Sequence, residues 1–348
     1  MEKTISLKEI WAEFRQKNPK VRIREAARIL GVSEAELVAT GVGDHVIALK
    51  NTFKDLLKEV SSLGRVMALT RNEFCVHERK GRYEQVSFNN HVGLALGPDI
   101  DLRLFMSHWK IGFAVQENDR KSLQFFNGEG TAMHKIYLTP DSDLTAYNQL
   151  VERYRSSVVP DPLVSTAWPQ GAGNEPVDLP ASIDSTTVRD FQQGWLELKD
   201  THDFFGLLRK YGLNREKAMH IAPEGHAIQA GTEQLTEIFE KASERQLPIM
   251  VFTNSAGCVQ IHTGLVQRLV TAGLWFNVLD PDFNLHLRLE GVASVWLVRK
   301  PTTDGIVTGI EAFNSSGELI VQLFGKRKPG IPEDPAWRSL TGEVFEIR

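Results

Sequence analysis

Val66-Met-Ala-Leu-Thr70 and Ile249-Met-Val-Phe-Thr253 read as two versions of one segment, 183 positions apart. The spacing holds beyond them. Cys75-Val76 answers Cys258-Val259, Gly81 answers Gly264, and Pro98-Asp-Ile-Asp-Leu-Arg-Leu-Phe105 faces Pro281-Asp-Phe-Asn-Leu-His-Leu-Arg288. The offset becomes 187 where Phe126-Asn-Gly-Glu-Gly130 matches Phe313-Asn-Ser-Ser-Gly317. The second copy therefore carries four extra residues, most simply in the turn Lys300-Pro-Thr-Thr-Asp-Gly305. Self-similarity at one long period means that a single supersecondary unit is used twice.

The repeated blocks alternate apolar and polar residues over short runs, with Leu285, Leu287 and Leu289 set against Asn284, His286 and Arg288. Ser294-Val-Trp-Leu-Val298 and Glu318-Leu-Ile-Val-Gln-Leu-Phe324 continue the pattern, so these are strands joined by hairpins. Helical spacing comes first in each half: Leu7 to Lys17, Arg24 to Leu30, Ser33 to Ala39 and Lys50 to Val60, then Val188 to Tyr211 and Thr232 to Arg245. Helices followed by antiparallel sheet, twice, is an α+β fold with an internal duplication. The expected organisation is an N-terminal repeat over 1–155, a Pro-rich connector over 156–189 and a C-terminal repeat over 190–348. Two such halves are expected to pack sheet on sheet about a pseudo-two-fold axis.

At 348 residues the chain has room for two domains that bury their own cores. A net charge of -4 argues against a general binder of polyanions, while 7 Trp and 18 Phe offer apolar surface for cores or for a flat ligand. Charged residues interrupt the first fourteen positions, and no run approaches a membrane span, so cytoplasm is the expected compartment. The two cysteines form no CxxC or CxxCH motif, which speaks against a disulfide framework and against covalent haem attachment. His77, His108, His134, His262 and His286 form no HExxH, and no GxGxxG follows a strand.

Phe191, Trp195, Leu198, His202 and Phe205 follow at steps of four, three, four and three, the spacing of one helix stripe. On spacing alone His202 is either a core histidine with a hydrogen-bond partner or a ligand, with Trp195, Phe204 and Phe205 nearby as apolar walls. Cys75-Val-His-Glu-Arg-Lys-Gly-Arg-Tyr83, Asp101-Leu-Arg-Leu-Phe-Met106, Thr201-His-Asp-Phe-Phe205, Val298-Arg-Lys-Pro301 and Val321-Gln-Leu-Phe-Gly325 with Arg327 are together specific. Through them the chain resembles, over nearly its full length, the HemS, ChuS and HmuS group of bacterial haem-utilisation proteins.

The resemblance implies a duplicated α+β module that binds haem b for iron acquisition. It makes His202 the proximal ligand of the iron and Arg103 the distal, catalytic residue, with Phe105 and Phe252 lining the pocket. Lys300, Gln322 and Arg327 match positions at the haem edge or its propionates, although Lys300 and Arg327 also read as ordinary surface charges. His286 stands in the second copy where Arg103 stands in the first, so one competent site is expected. The family covers both oxidative opening of the macrocycle, by a haem oxygenase-like monooxygenase, and non-enzymatic carriage of haem. The partners implied are haem itself and either a haem importer or a downstream haem oxygenase.

Arg24-Glu-Ala-Ala-Arg-Ile-Leu-Gly-Val-Ser-Glu-Ala-Glu-Leu37 has helix-turn-helix spacing and raises a DNA-binding alternative. Its second helix carries Glu34 and Glu36 and no cation, the wrong sign for phosphates, so a helical hairpin used for packing is the expected structure.

Overall fold

The computed structural model describes residues 5–90, 92–158, 184–328 and 330–346. Most of the expected connector, including all five of its prolines, lies outside the described residues. The first half runs α1 (Leu7–Lys17), α2 (Ile23–Leu30), α3 (Glu34–Ala39), β1 (Val46–Ala48) and α4 (Phe53–Glu59). Strands β2 (Gly64–Arg71), β3 (Cys75–Gly81), β4 (Val86–Phe88), β5 (Gly93–Leu96) and β6 (Asp101–Leu104) follow. Then come β7 (Ile111–Glu117), β8 (Arg120–Phe126), β9 (Ala132–Ser142) and α5 (Leu144–Tyr154). The second half begins with α6 (Ser185–Leu196), α7 (Asp203–Tyr211), α8 (Arg215–His220), β10 (Ala227–Ala230) and α9 (Thr232–Glu244). It continues through β11 (Ile249–Asn254), β12 (Cys258–Gly264), β13 (Leu269–Ala272), β14 (Trp275–Leu279) and β15 (Phe283–Arg288). It ends with β16 (Ser294–Thr302), β17 (Gly305–Phe313), β18 (Leu319–Gly325) and α10 (Pro335–Val344).

The fold is α+β with two nine-stranded antiparallel sheets, and its halves resemble each other element by element. The strand orders are β1-β7-β8-β9-β2-β3-β15-β14-β13 and β10-β16-β17-β18-β11-β12-β6-β5-β4. Contacts recur at the sequence offset. Cys75 Sγ lies 3.4 Å from Thr253 Oγ1, and Thr70 Oγ1 donates to Cys258 Sγ at 3.4 Å. Phe105 N–H donates to the Gly257 carbonyl at 2.9 Å, and Arg288 N–H to that of Phe74 at 2.8 Å. Both cysteines open their strands fully buried, and burial pushes each thiol up to about 12, so they pack as small apolar groups.

The four extra residues have a definite place. Glu117 pairs with Arg120 around a two-residue turn in the first half, and Lys300 pairs with Val307 at the matching position of the second. Beyond Lys300 the second hairpin adds the pairs Pro301 with Ile306 and Thr302 with Gly305 before it turns. The insertion is a longer hairpin arm, not a longer loop.

Local signals explain most helix ends. Ser6 and Glu9 form a reciprocal capping box at α1, and Gly31, at φ +68, ends α2 in the left-handed conformation that glycine tolerates. α3 buries Glu34, Ala35, Leu37 and Val38, and Glu34 binds Lys135 and Arg71, so the helix-turn-helix-like segment packs its second helix inward. Two expectations need correction. A helix follows the sheet in each half, α5 capped by Asp143 and α10 by Asp334 with Pro335 in its first turn; neither was expected. The helix expected over Val188 to Tyr211 is two helices, broken between Leu196 and Asp203. Asp200 and Asp203 cause the break, because their carboxylates take backbone N–H groups that a continuous helix needs.

The chain divides into two compact units, the first formed by the described residues of Met1–Arg71, Glu78–Gly171 and Ser255–Gln260, the second by the remainder. In the first, α4 and α5 put Phe53, Leu56, Leu57 and Leu150 against Val66, Leu123, Phe125 and Ile136. In the second, α9 and α10 put Leu235, Ile238, Trp337 and Leu340 against Val251, Leu297, Ile310 and Leu323. The opposite face of that second sheet meets α6, α7 and α8 through Phe191, Trp195, Phe204, Trp296, Val298 and Phe313.

Candidate functional site

His202 is the N-cap residue of α7, and its side chain is 87% exposed. It does not share a helix stripe with Phe191 and Trp195, because the helix between them is broken. Asp200 shapes its surroundings: one carboxylate oxygen, Oδ1, accepts the His202 backbone N–H at 2.8 Å and lies 2.6 Å from ring Nδ1. The backbone N–H of His202, then its ring, and then the Arg327 guanidinium hold the Asp200 carboxyl below its usual range despite partial burial. A carboxylate accepts only, so Nδ1 carries a proton, and in the neutral ring the lone pair is on Nε2. Nε2 has no partner among the described residues, which is the condition of an imidazole ready to bind a metal centre.

Beneath this turn, α7 rests on a buried charge cluster. Arg215 grips Glu311 through two bonds of 2.6 and 2.7 Å, and Lys300 Nζ donates to the same carboxylate at 2.8 Å. Burial alone would raise the Glu311 carboxyl, but Arg215 and then Lys300 outweigh it and hold it well below the carboxylate range. Burial, helped by the like charge of Arg215, pulls the Lys300 ammonium down to about 8 against the opposing pull of the Glu311 carboxylate. The Lys300 ammonium lies 4.5 Å from the centre of the Phe204 ring, itself 4.6 Å edge-on from Trp195. Arg215 lies 5.5 Å from the ring of Phe205, which is 59% exposed.

Cross-strand pairs carry the same face outward from this cluster. Glu311 stands opposite Gln322, and Gln322 opposite Phe252. Directly opposed residues point to the same side of a sheet, so Glu311, Gln322 and Phe252 form one row. Phe252 packs edge-on to Phe324 at 5.2 Å, and both are half-buried. Gly309 permits this, since a Cβ there would meet the Phe324 ring at 2.4 Å. Just past β18, Arg327 pairs with Asp304 at 3.6 Å, beyond hydrogen-bond reach, and its Nε is buried without a partner. A buried guanidinium N–H left without an acceptor is costly and favours an anionic ligand.

The expected residues are thus distributed unevenly. Phe252, Gln322 and Arg327 lie along or beside one face of the second unit. Lys300, expected at a rim, is buried and bonded to Glu311. In the first unit Arg103 is ion-paired with Asp101 on its own strand and bonds the Leu102 carbonyl at 3.2 Å, while Phe105 is half-buried after β6. His286, the counterpart of Arg103, lies 2.7 Å from the Asn277 side chain. His77 is fully buried and edge-on to Phe283 at 5.0 Å. Sequence reasoning missed Asp200, Arg215 and Glu311. Asp-x-His is an Asx-turn signal that marks Asp200. A lone acid within Thr308-Gly-Ile-Glu-Ala-Phe313 marks Glu311 as a buried charge in need of partners.

The chain is similar to known proteins over nearly its whole length. The family model for the haemin-degrading HemS/ChuX domain matches twice, at residues 31–154 and 212–344. The haemin transport protein HemS of Yersinia enterocolitica is 35% identical over 339 residues, which are 96% of this chain and 95% of that protein. Among solved structures, apo-PhuS of Pseudomonas aeruginosa, described as a haem-binding protein, is similar at a TM-score of 0.89 and 45% identity. That match covers 97% of this chain and 98% of PhuS. ChuS of Escherichia coli O157:H7, described as a haem-degrading enzyme, matches at 0.87 and 32% identity, over 96% and 97% of the two chains.

Proposed function

The chain belongs to the family of the haemin-degrading HemS/ChuX domain, and from that premise we propose that it binds haem b through His202 and opens the macrocycle oxidatively to release iron. One observation carries the reading: an exposed imidazole whose Nδ1 is tied to Asp200 and whose Nε2 is free. The remaining donors fit haem rather than a bare ion. Phe252 and Phe324 offer an apolar face to a flat ring, and the unpartnered Arg327 Nε suits a propionate. Haem held there supplies the iron at which dioxygen and electrons act on its own ring. No helix among the described residues is long and apolar enough to cross a membrane, and the proposed setting is the cytoplasm.

Arg103 is the proposed catalytic cation, carried over from the family motif. Arg103→Ala is expected to spare haem binding and to slow ring opening on the order of a hundredfold, the usual effect of removing one preorganised donor to developing negative charge. Soret loss and carbon monoxide release, measured with catalase present, test this. Equal turnover by parent and variant removes Arg103 from the chemistry.

A second reading, carriage of haem from an importer to a downstream haem oxygenase, is favoured by the exposure of His202, since an open ligand loads and unloads readily. It prevails if the parent opens no haem with any physiological reductant. Under both readings Arg327→Ala is expected to weaken binding of haem by about 1.5–3 kcal/mol, the contribution of a shielded charge-assisted bond. The dimethyl ester, which lacks the anionic propionates, should lose much less. Equal losses for haem and ester argue against the propionate role.

A further inference from the structure

The turn that carries His202 is held from two sides. From within, Asp200 binds both the backbone and the ring of His202, and its own N–H donates to Asp203 Oδ2 at 3.0 Å. From without, the tip of the β16–β17 hairpin reaches it, where Thr303 N–H donates to the Lys199 carbonyl at 3.0 Å. That tip is itself fixed. Asp304 accepts the Gly330 N–H at 2.9 Å and pairs with Arg327, and Thr302 Oγ1 accepts the Asp304 N–H at 3.2 Å. Thr303 and Asp304 stand out this far because of the two added residue pairs, which the first half lacks.

We propose that Asp200 is a positioning residue for His202, fixing Nε2 as the nitrogen that meets iron and strengthening it as a donor, and that the hairpin extension braces its turn. The inference rests on the haem reading given above. A carboxylate that takes the Nδ1 proton orients the ring and raises the basicity of the opposite nitrogen, a coupling common to metal-bound histidines. Exposure makes it necessary here, because no packing around an 87% exposed ring would otherwise select its rotamer or tautomer. The brace matters for the same reason: a short Asx turn at a helix start frays unless another element fixes its backbone.

The test uses the full chain loaded with haem and two readouts besides turnover. These are the rate of haem loss to an excess of scavenger and the iron–histidine stretching frequency of the ferrous protein by resonance Raman. Asp200→Ala is expected to release haem roughly 10–100-fold faster and to lower the stretching frequency. Asp200→Asn should fall between, since its amide oxygen accepts the same bond without the charge. Deleting Pro301, Thr302, Gly305 and Ile306 should change both readouts in the direction of Asp200→Ala. Thr303→Pro, which removes the bracing N–H without shortening the hairpin, gives the same comparison if the deletion does not fold. Parent-like values for Asp200→Ala overturn the role of Asp200, and parent-like values for the hairpin variants overturn the brace. His202→Ala separates the two levels. If it alters the spectrum while Asp200→Ala does not, only this inference fails; if it leaves the spectrum unchanged, the ligand reading fails with it.

Discussion

His202→Ala is expected to lower haem affinity on the order of a hundredfold or more and to replace the Soret band of a histidine-ligated haem by that of weakly held haem. Loss of an iron ligand should exceed the roughly 10–100-fold cost of losing an outer-shell partner. Exogenous imidazole should restore part of the parent spectrum, because the variant removes the ring and leaves the exposed turn in place. An unchanged spectrum and affinity remove His202 as the ligand. His77 is a poor substitute, since its fully buried ring would require strand β3 to open.

Glu311→Ala is expected to destabilise the protein by about 3–5 kcal/mol, the usual cost of leaving a buried charge without its partner. Two cations, Arg215 and Lys300, lose their common acceptor. Urea unfolding at neutral pH measures the loss, and a change below about 1 kcal/mol would show that water or another acceptor replaces the carboxylate. Joint replacement of Lys300, Glu311 and Arg215 by apolar residues of similar size should cost far less, because no charge then remains buried. The sign with pH follows from the direction of the Glu311 shift. Its carboxyl is held below the unfolded value near 4.5, so the stability it contributes is present above that value and is lost as pH falls beneath it. Glu34, lowered to about 2 by Arg71 and Lys135 against burial, adds to the same acid-side loss in the first unit. Phe204, in the first turn of α7, lies over Arg215 and Lys300, so loosening the cluster should also weaken the His202 turn.

The repeat was legible in the sequence because strands keep a strict alternation and tolerate few insertions. Cys75 and Cys258 therefore open equivalent strands, and even the four-residue discrepancy located its hairpin. The helices that close each half escaped notice, although Asp143 and Asp334 mark their starts. The stripe through His202 misled for a physical reason. Helical spacing of apolar residues says nothing about whether the backbone stays helical between them, and Asp200 and Asp203 offer a competing set of hydrogen bonds. The family motif pointed to His202, and the geometry around it differs from the expected stripe.

By itself, then, the sequence determined the α+β class, the twofold use of one module and the site of the insertion, all of which follow from periodicity along the chain. Only the tertiary structure decided which charges meet. Glu311 lies 96 residues from Arg215 and 11 from Lys300, and Thr303 reaches Lys199 across 104 positions. Such contacts depend on strand register and helix docking, which fix side chains in space without leaving a period in the sequence. Lys300 therefore became a buried partner of Glu311, Arg327 kept an unpartnered nitrogen, and His202 was left exposed and oriented by its neighbour Asp200.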